Sequence, residues 1–263
     1  MAPSTIKETL CFDEIHRATS HLSSQSLVIF DIDDVLFTAT DHILKPPHRD
    51  HWLNTHFDEK FLPEVALDLL GHTWTTYDFE PTDPKVAELN NTLKERNIPS
   101  IALTAGWNGK LAHRPSHCDD RIRMLQSVHM NFTHSFPHMP ETFFHGLHNC
   151  GKIPSFKSGV IFACMISKPV VLDAFLKSAR FHPKDILFVD DMHHNLVQMQ
   201  EFCTKENIAY QGFHYTAVSK RNHKILDEAL ALFQIETLIR DRIWLSDENA
   251  REKMHHLKMK NVG

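Results

Sequence analysis

Val28-Ile29-Phe30-Asp31-Ile32-Asp33-Asp34-Val35-Leu36 runs from uninterrupted apolar residues straight into clustered carboxylates. A run this short, ended by acids, is expected to be a strand buried on both faces rather than a piece of helix. Two later runs have the same form: Ile101-Ala102-Leu103 ends on Thr104, and Ile186-Leu187-Phe188-Val189 ends on Asp190-Asp191. A helical pattern precedes each of them. Pro84 opens the first, with Val86, Leu89 and Leu93 on one face and a stop at Asn97-Ile98-Pro99; Pro169 to Ala179 forms the second, with Val170, Leu172, Phe175 and Leu176 apolar. Residues 192–206 read as helix, Ile208 to Tyr215 as another strand, and residues 8–24 as helical. Short apolar runs alternating with amphipathic helices predict an α/β fold with a doubly wound, mainly parallel sheet, whose ligands bind outside the carboxyl ends of the strands.

Residues 1–37 and 81–222 carry this alternation and are expected to form the core. Residues 38–80 do not fit it: His51-Trp52, Phe57, Phe61, His72, Trp74, Tyr77 and Phe79 predict a small, partly helical insertion, like a cap, over the carboxyl edge. A second irregular stretch spans 131–158, and residues 223–263 read as a C-terminal helical extension with polar faces. With 263 residues, 42% of them hydrophobic and 23% charged, the composition is that of a globular chain of one to two domains. A net charge of −5, from 28 basic and 33 acidic side chains, argues against nucleic acid or anionic membrane as partner. Five scattered Cys without a Cys-x-x-Cys pair argue for reduced thiols. Met1 to Thr9 has no apolar run and no later run is long enough to span a bilayer, so a cytoplasmic location without a membrane span is expected, with export by a specialised secretion machine as the other route.

The strand ends gather Asp31, Asp33, Thr104, Asp190 and Asp191 at one sheet edge, with Lys168 at the start of the helix before the last strand. Two carboxylates, a hydroxyl, an ammonium and a further acidic pair suit phosphoryl transfer, where a nucleophile must reach a dianion and charge must be stabilised on its oxygens. Asp31 is the candidate nucleophile, forming an aspartyl-phosphate. Asp33 is the candidate acid/base, protonating the leaving alkoxide and then deprotonating water. Thr104 and Lys168 are expected to hold the transferring group. Carboxylates alone repel phosphate, so a hard cation, Mg²⁺, is implied, with Asp31, Asp33, Asp190 and Asp191 as candidate ligands and Asn195 in support. Taken singly, each feature has a plainer reading: Asp190-Asp191 is also a helix N-cap signature, and Lys168 also suits a solvated helix start.

This ordered set resembles the haloacid dehalogenase superfamily, whose phosphatases carry Asp-x-Asp after the first strand, Ser or Thr after the second, a Lys, and acids after a later strand. Gly159-Val160-Ile161-Phe162, Lys168, Val189-Asp190-Asp191 with Asn195, and Gly212-Phe213-His214-Tyr215 are similar to an uncharacterised subgroup found mainly in intracellular bacteria. The resemblance covers residues 25–220. It implies a phosphomonoester hydrolase, because Asp33 stands where phosphatases have their acid/base and dehalogenases do not. The departures are Gly106-Trp107 after Thr104, where a polar or basic residue is usual, and Ala163-Cys164-Met165 before Lys168. A phosphorylated small molecule or phosphoprotein is the expected substrate, with aryl esters favoured if the aromatics of 38–80 line the entrance. Two other readings share these residues: a binding or effector protein with little turnover, and a phosphotransferase to an acceptor other than water.

Gly106-Trp107-Asn108-Gly109-Lys110 is too short for a phosphate loop and has Leu111 where Ser or Thr is needed. His113, His117 and Cys118, or His134, His138, His145 and His148, lack zinc-finger or ribbon spacing. Trp52, Trp74, Tyr77 and Trp107 read as core in the first instance, and His193-His194 as the exposed start of a helix.

Overall fold

The computed structural model describes residues 4–54, 57, 61–221 and 225–260. Its strands are β1 Ser4–Thr9, β2 Ser26–Phe30, β3 Phe37–Ala39, β4 Phe79–Pro81, β5 Ser100–Thr104, β6 Thr142–Phe143, β7 Ser155–Lys157, β8 Val160–Phe162, β9 Asp185–Asp190 and β10 Ala209–Tyr215. Its helices are α1 Phe12–Ala18, α2 Pro63–Trp74, α3 Val86–Glu95, α4 His117–Ser127, α5 Lys168–Ala179, α6 His193–Lys205, α7 Ala217–Arg221, α8 Glu228–Asp241 and α9 Asp247–Lys260. Eight strands form one sheet in the order β1-β10-β9-β2-β5-β8-β7-β6, while β3 and β4 pair separately. From β1 to β8 the neighbours run parallel; β7 and β6 add an antiparallel edge. The protein is α/β with a mainly parallel central sheet and flanking helices.

Every residue of β2 is buried, which a central strand covered on both faces requires. Leu27 and Ile29 join Ile101, Leu103, Ile186 and Phe188 in a core completed by Leu172 and Phe175 of α5 and Leu196 and Met199 of α6. Phe30 points the other way, with ring centroids 6.4 Å from Phe12 and 6.1 Å from Phe132. On α5 the buried face is Val171, Leu172, Phe175 and Leu176, so Val170 turns outward and is 46% exposed. Ser158 and Gly159, at φ 51° and 82°, turn β7 into β8. A Cβ on Gly159 would fall on Phe132, so only glycine fits there.

Two readings change. Residues 8–24 are not one helix: β1 runs through Thr9 and pairs with β10, and α1 follows. A polar edge strand buries little more than Ile6 against the core, so it leaves no apolar period to read. The irregular stretch 131–158 contains β6 and β7, of two and three residues.

The chain divides into two compact units, the first comprising residues 1–37, 81–109 and 116–217 and holding the large sheet. The second comprises 38–80, 110–115 and 218–263. Within it, buried Asp41 accepts hydrogen bonds from the Trp244 indole and the Asp247 backbone, both at 2.8 Å, and Asp68 pairs with Arg242 at 3.4 Å. The C-terminal helices and the 38–80 segment therefore share one unit through contacts some 200 residues apart in sequence, which no local pattern announces. Tyr77 is buried there, and Trp52 and Trp74 are half-buried.

Candidate functional site

The carboxyl ends of β9, β2 and β5, adjacent in the sheet, present Asp190, Asp31 and Thr104 respectively. Asp31 lies one residue beyond β2, its backbone N–H donating to the Val189 carbonyl at 2.9 Å. The chain then makes a tight turn: the Leu36 N–H donates to Ile32 at 2.9 Å and the Asp34 N–H to Phe37 at 2.8 Å, with Asp34 in the left-handed region at φ 59°. A short acidic side chain is among the residues that tolerate that conformation.

Lys168, 2% exposed, places its ammonium 2.8 Å from Asp31 Oδ1 and 2.6 Å from Asp190 Oδ2. Its position follows from Ser167-Lys168-Pro169, where Pro169 in the first turn fixes the start of α5. Asp190, fully buried, also accepts the Met192 backbone N–H at 2.8 Å and the Asn195 amide at 3.0 and 3.2 Å. Asp191 brings its carboxylate to the same place, so that one oxygen from each of Asp31, Asp190 and Asp191 falls within 4.8 Å of the others. Its backbone carbonyl lies 2.9 Å from His214 Nε2, and the His214 ring is 5.4 Å from that of His193.

Thr104, 3% exposed, accepts the Gly106 N–H on its hydroxyl at 3.0 Å. Asp33 stands apart from the carboxylate triad. Its Oδ1 is 2.5 Å from Arg121 Nη2, and its side chain is 47% exposed. Arg121, on α4, had no signal in the sequence: it comes 88 residues after its partner and belongs to no motif. His117, one turn earlier on α4, is 5% exposed, and its Nδ1 has no hydrogen-bond partner among the described residues.

The electrostatics follow from burial. Loss of water pushes the Asp31 carboxyl up to about 7, with the Asp190 and Asp33 charges adding to the effect and Lys168 opposing it. Asp191 is raised well above the carboxylate range by burial and then by Asp31, Asp190 and Asp34, again against Lys168. Burial alone would pull Lys168 down, but Asp190 and Asp31 override it and hold the ammonium. Burial and then Arg121 push His117 down to about 4, so it is neutral near pH 7. Carboxylates thus outnumber cations in a space largely closed to water, and an all-oxygen donor set of this charge suits a hard divalent ion.

This makes a stability prediction. Asp31 holds a proton up to about pH 7 in the folded chain, but ionises near pH 4 when unfolded, so between these values the folded state binds more protons. The stability of the metal-free protein should therefore fall as pH rises from about 4 to about 7. A bound divalent cation displaces the proton, so it should stabilise more at pH 7.5 than at pH 5. Thermal unfolding at both values, in EDTA and in millimolar Mg²⁺, measures this; an equal effect of the ion at both would contradict it.

The pattern of a family described as protein of unknown function, DUF2608, matches residues 8–251. The chain belongs to that family. A protein of Chlamydia trachomatis is 24% identical over 236 residues, covering 88% of this chain and 83% of the relative. One from Chlamydia muridarum is 26% identical over 251 residues, covering 92% and 88%. Both are provisionally named outer membrane proteins. An uncharacterised protein of Rickettsia bellii is 22% identical over 248 residues, covering 89% and 84%. No solved structure matches the chain. Among the described residues no helix is long and apolar enough to cross a membrane.

Proposed function

We propose that this protein is a Mg²⁺-dependent phosphomonoester hydrolase of the haloacid dehalogenase type, acting through an aspartyl-phosphate on Asp31. The observation that carries the reading is the buried ammonium of Lys168 bridging Asp31 and Asp190 at 2.8 and 2.6 Å, with Asp191 close by. A purely structural cluster gains nothing from concentrating carboxylates that repel one another out of water. The sheet order, with adjacent β9, β2 and β5 delivering their ends to one edge, also supports a doubly wound core of that type.

In the first half-reaction an Asp31 carboxylate oxygen attacks phosphorus as the ester P–O bond breaks, and the Asp33 carboxyl gives its proton to the leaving oxygen. In the second, Asp33 takes a proton from water, which attacks the phosphoryl group and returns Asp31 to the carboxylate. Lys168 and the Thr104 hydroxyl hold the transferring oxygens. Asp31, Asp190 and Asp191 would hold Mg²⁺, whose charge offsets the repulsion between carboxylate and phosphate. The substrate is a phosphorylated small molecule or phosphoprotein, with aryl esters preferred if the aromatics of 38–80 line the entrance.

The test is phosphate release from p-nitrophenyl phosphate and from glycerol 2-phosphate between pH 5 and 8. Turnover in Mg²⁺ that EDTA abolishes, faster on the aryl ester, is expected. A folded protein that binds Mg²⁺ and releases phosphate from neither ester would favour the binding-protein reading. Product bearing an added alcohol instead of free phosphate would favour phosphotransfer.

A further inference from the structure

Resting on the hydrolase reading, we propose that Arg121 is the positioning residue for the acid/base: its guanidinium holds the Asp33 carboxyl where it serves the leaving group. Three observations carry this. Asp33 is half exposed, while Asp31, Asp190 and Lys168 are buried, so packing alone does not fix its rotamer. Arg121 Nη2 donates to Asp33 Oδ1 at 2.5 Å, a charge-assisted bond from a guanidinium whose side chain is itself only 4% exposed. The guanidinium carbon lies over the Phe37 ring, 4.7 Å from its centroid, a second contact that holds the donor in place.

The clamp is built from the turn it serves. Phe37 closes that turn by accepting the Asp34 N–H and by donating to Ile32 at 3.3 Å, and it bridges to Asp33. Arg121 thus touches both ends of the Asp33–Phe37 turn from α4. The helix is capped by Ser116, whose hydroxyl accepts the Asp119 N–H at 3.2 Å. Lys cannot reproduce this, because its point charge neither lies flat on an aromatic ring nor fixes the orientation of a carboxylate.

An acid/base held in this way matters in proportion to how much the leaving group needs a proton. The p-nitrophenolate ion leaves without one; the alkoxide of glycerol 2-phosphate does not. The measurement is kcat/KM, which covers steps up to loss of the leaving group, for wild type, Arg121→Gln, Arg121→Lys and Asp33→Asn on both esters. Folding of each variant is checked by thermal unfolding. Arg121→Gln is expected to lose about 100-fold on the alkyl ester and less than about 5-fold on the aryl ester, in the same sense as Asp33→Asn, with Arg121→Lys between it and wild type. Equal losses on both esters for Arg121→Gln, with Asp33→Asn still discriminating, would overturn the role of Arg121 alone. No discrimination by Asp33→Asn would overturn Asp33 as acid/base. Wild type inert on both esters would overturn the hydrolase reading and this inference with it.

Discussion

Asp31→Asn is expected to abolish phosphate release, by at least about 10⁴-fold, and at the same time to make the metal-free protein more stable at pH 7.5. The two effects have one cause. The substitution keeps the shape of the side chain and removes the charge that burial, Asp190 and Asp33 all oppose, while Lys168 keeps its 2.6 Å contact with Asp190. An amide oxygen cannot form the acyl-phosphate, so the nucleophile is lost. The stability gain is expected on the order of 5 °C in Tm and should vanish near pH 5, where the wild-type carboxyl already holds a proton. A variant both inactive and more stable cannot owe its inactivity to misfolding. Thermal unfolding and phosphate release on the same preparations provide the check, and an Asp31→Asn protein less stable than wild type at pH 7.5 would contradict the account of the charge cluster.

Lys168→Met is expected to have the largest effect on stability. Lys168 is 2% exposed and its ammonium contacts two carboxylates, so its removal leaves buried negative charge uncompensated. Breaking a buried ion pair from one side costs about 3–5 kcal/mol, which for a chain of this length lowers Tm by roughly 6–20 °C. The penalty should be greater at pH 7.5 than at pH 5, because at pH 5 the Asp31 carboxyl already holds a proton. Thermal unfolding in EDTA at the two pH values measures it. An unchanged Tm would mean that the cluster is solvated and that the burial argument fails.

What the sequence revealed of this protein was local. The runs Leu27 to Phe30, Ile101 to Leu103 and Ile186 to Val189 are central parallel strands, apolar on both faces, and such strands announce themselves without knowledge of their neighbours. Because the end of a parallel strand is also where ligands bind, the same reading pointed at Asp31, Thr104 and Asp190. Position in the chain does not disclose what depends on tertiary contact. The pairing of Asp33 with Arg121, the association of residues 38–80 with the C-terminal helices through Asp41 and Trp244, and the edge strand β1 all join segments far apart in sequence. Which of the acids gather as a donor set was equally hidden: the sequence offers Asp31, Asp33, Asp190 and Asp191 alike as candidate ligands. In the fold Asp31 joins Asp190 and Asp191 while Asp33 goes to Arg121.

The central claim is that Asp31 carries the phosphoryl group, and acid quenching during turnover tests it most directly. Wild-type protein mixed with p-nitrophenyl phosphate and Mg²⁺, quenched in acid and digested, should show a phosphoryl group on the peptide containing Asp31, absent in EDTA and in Asp31→Asn. Turnover with no modification of that peptide, or with the phosphoryl group on another side chain, would contradict the account.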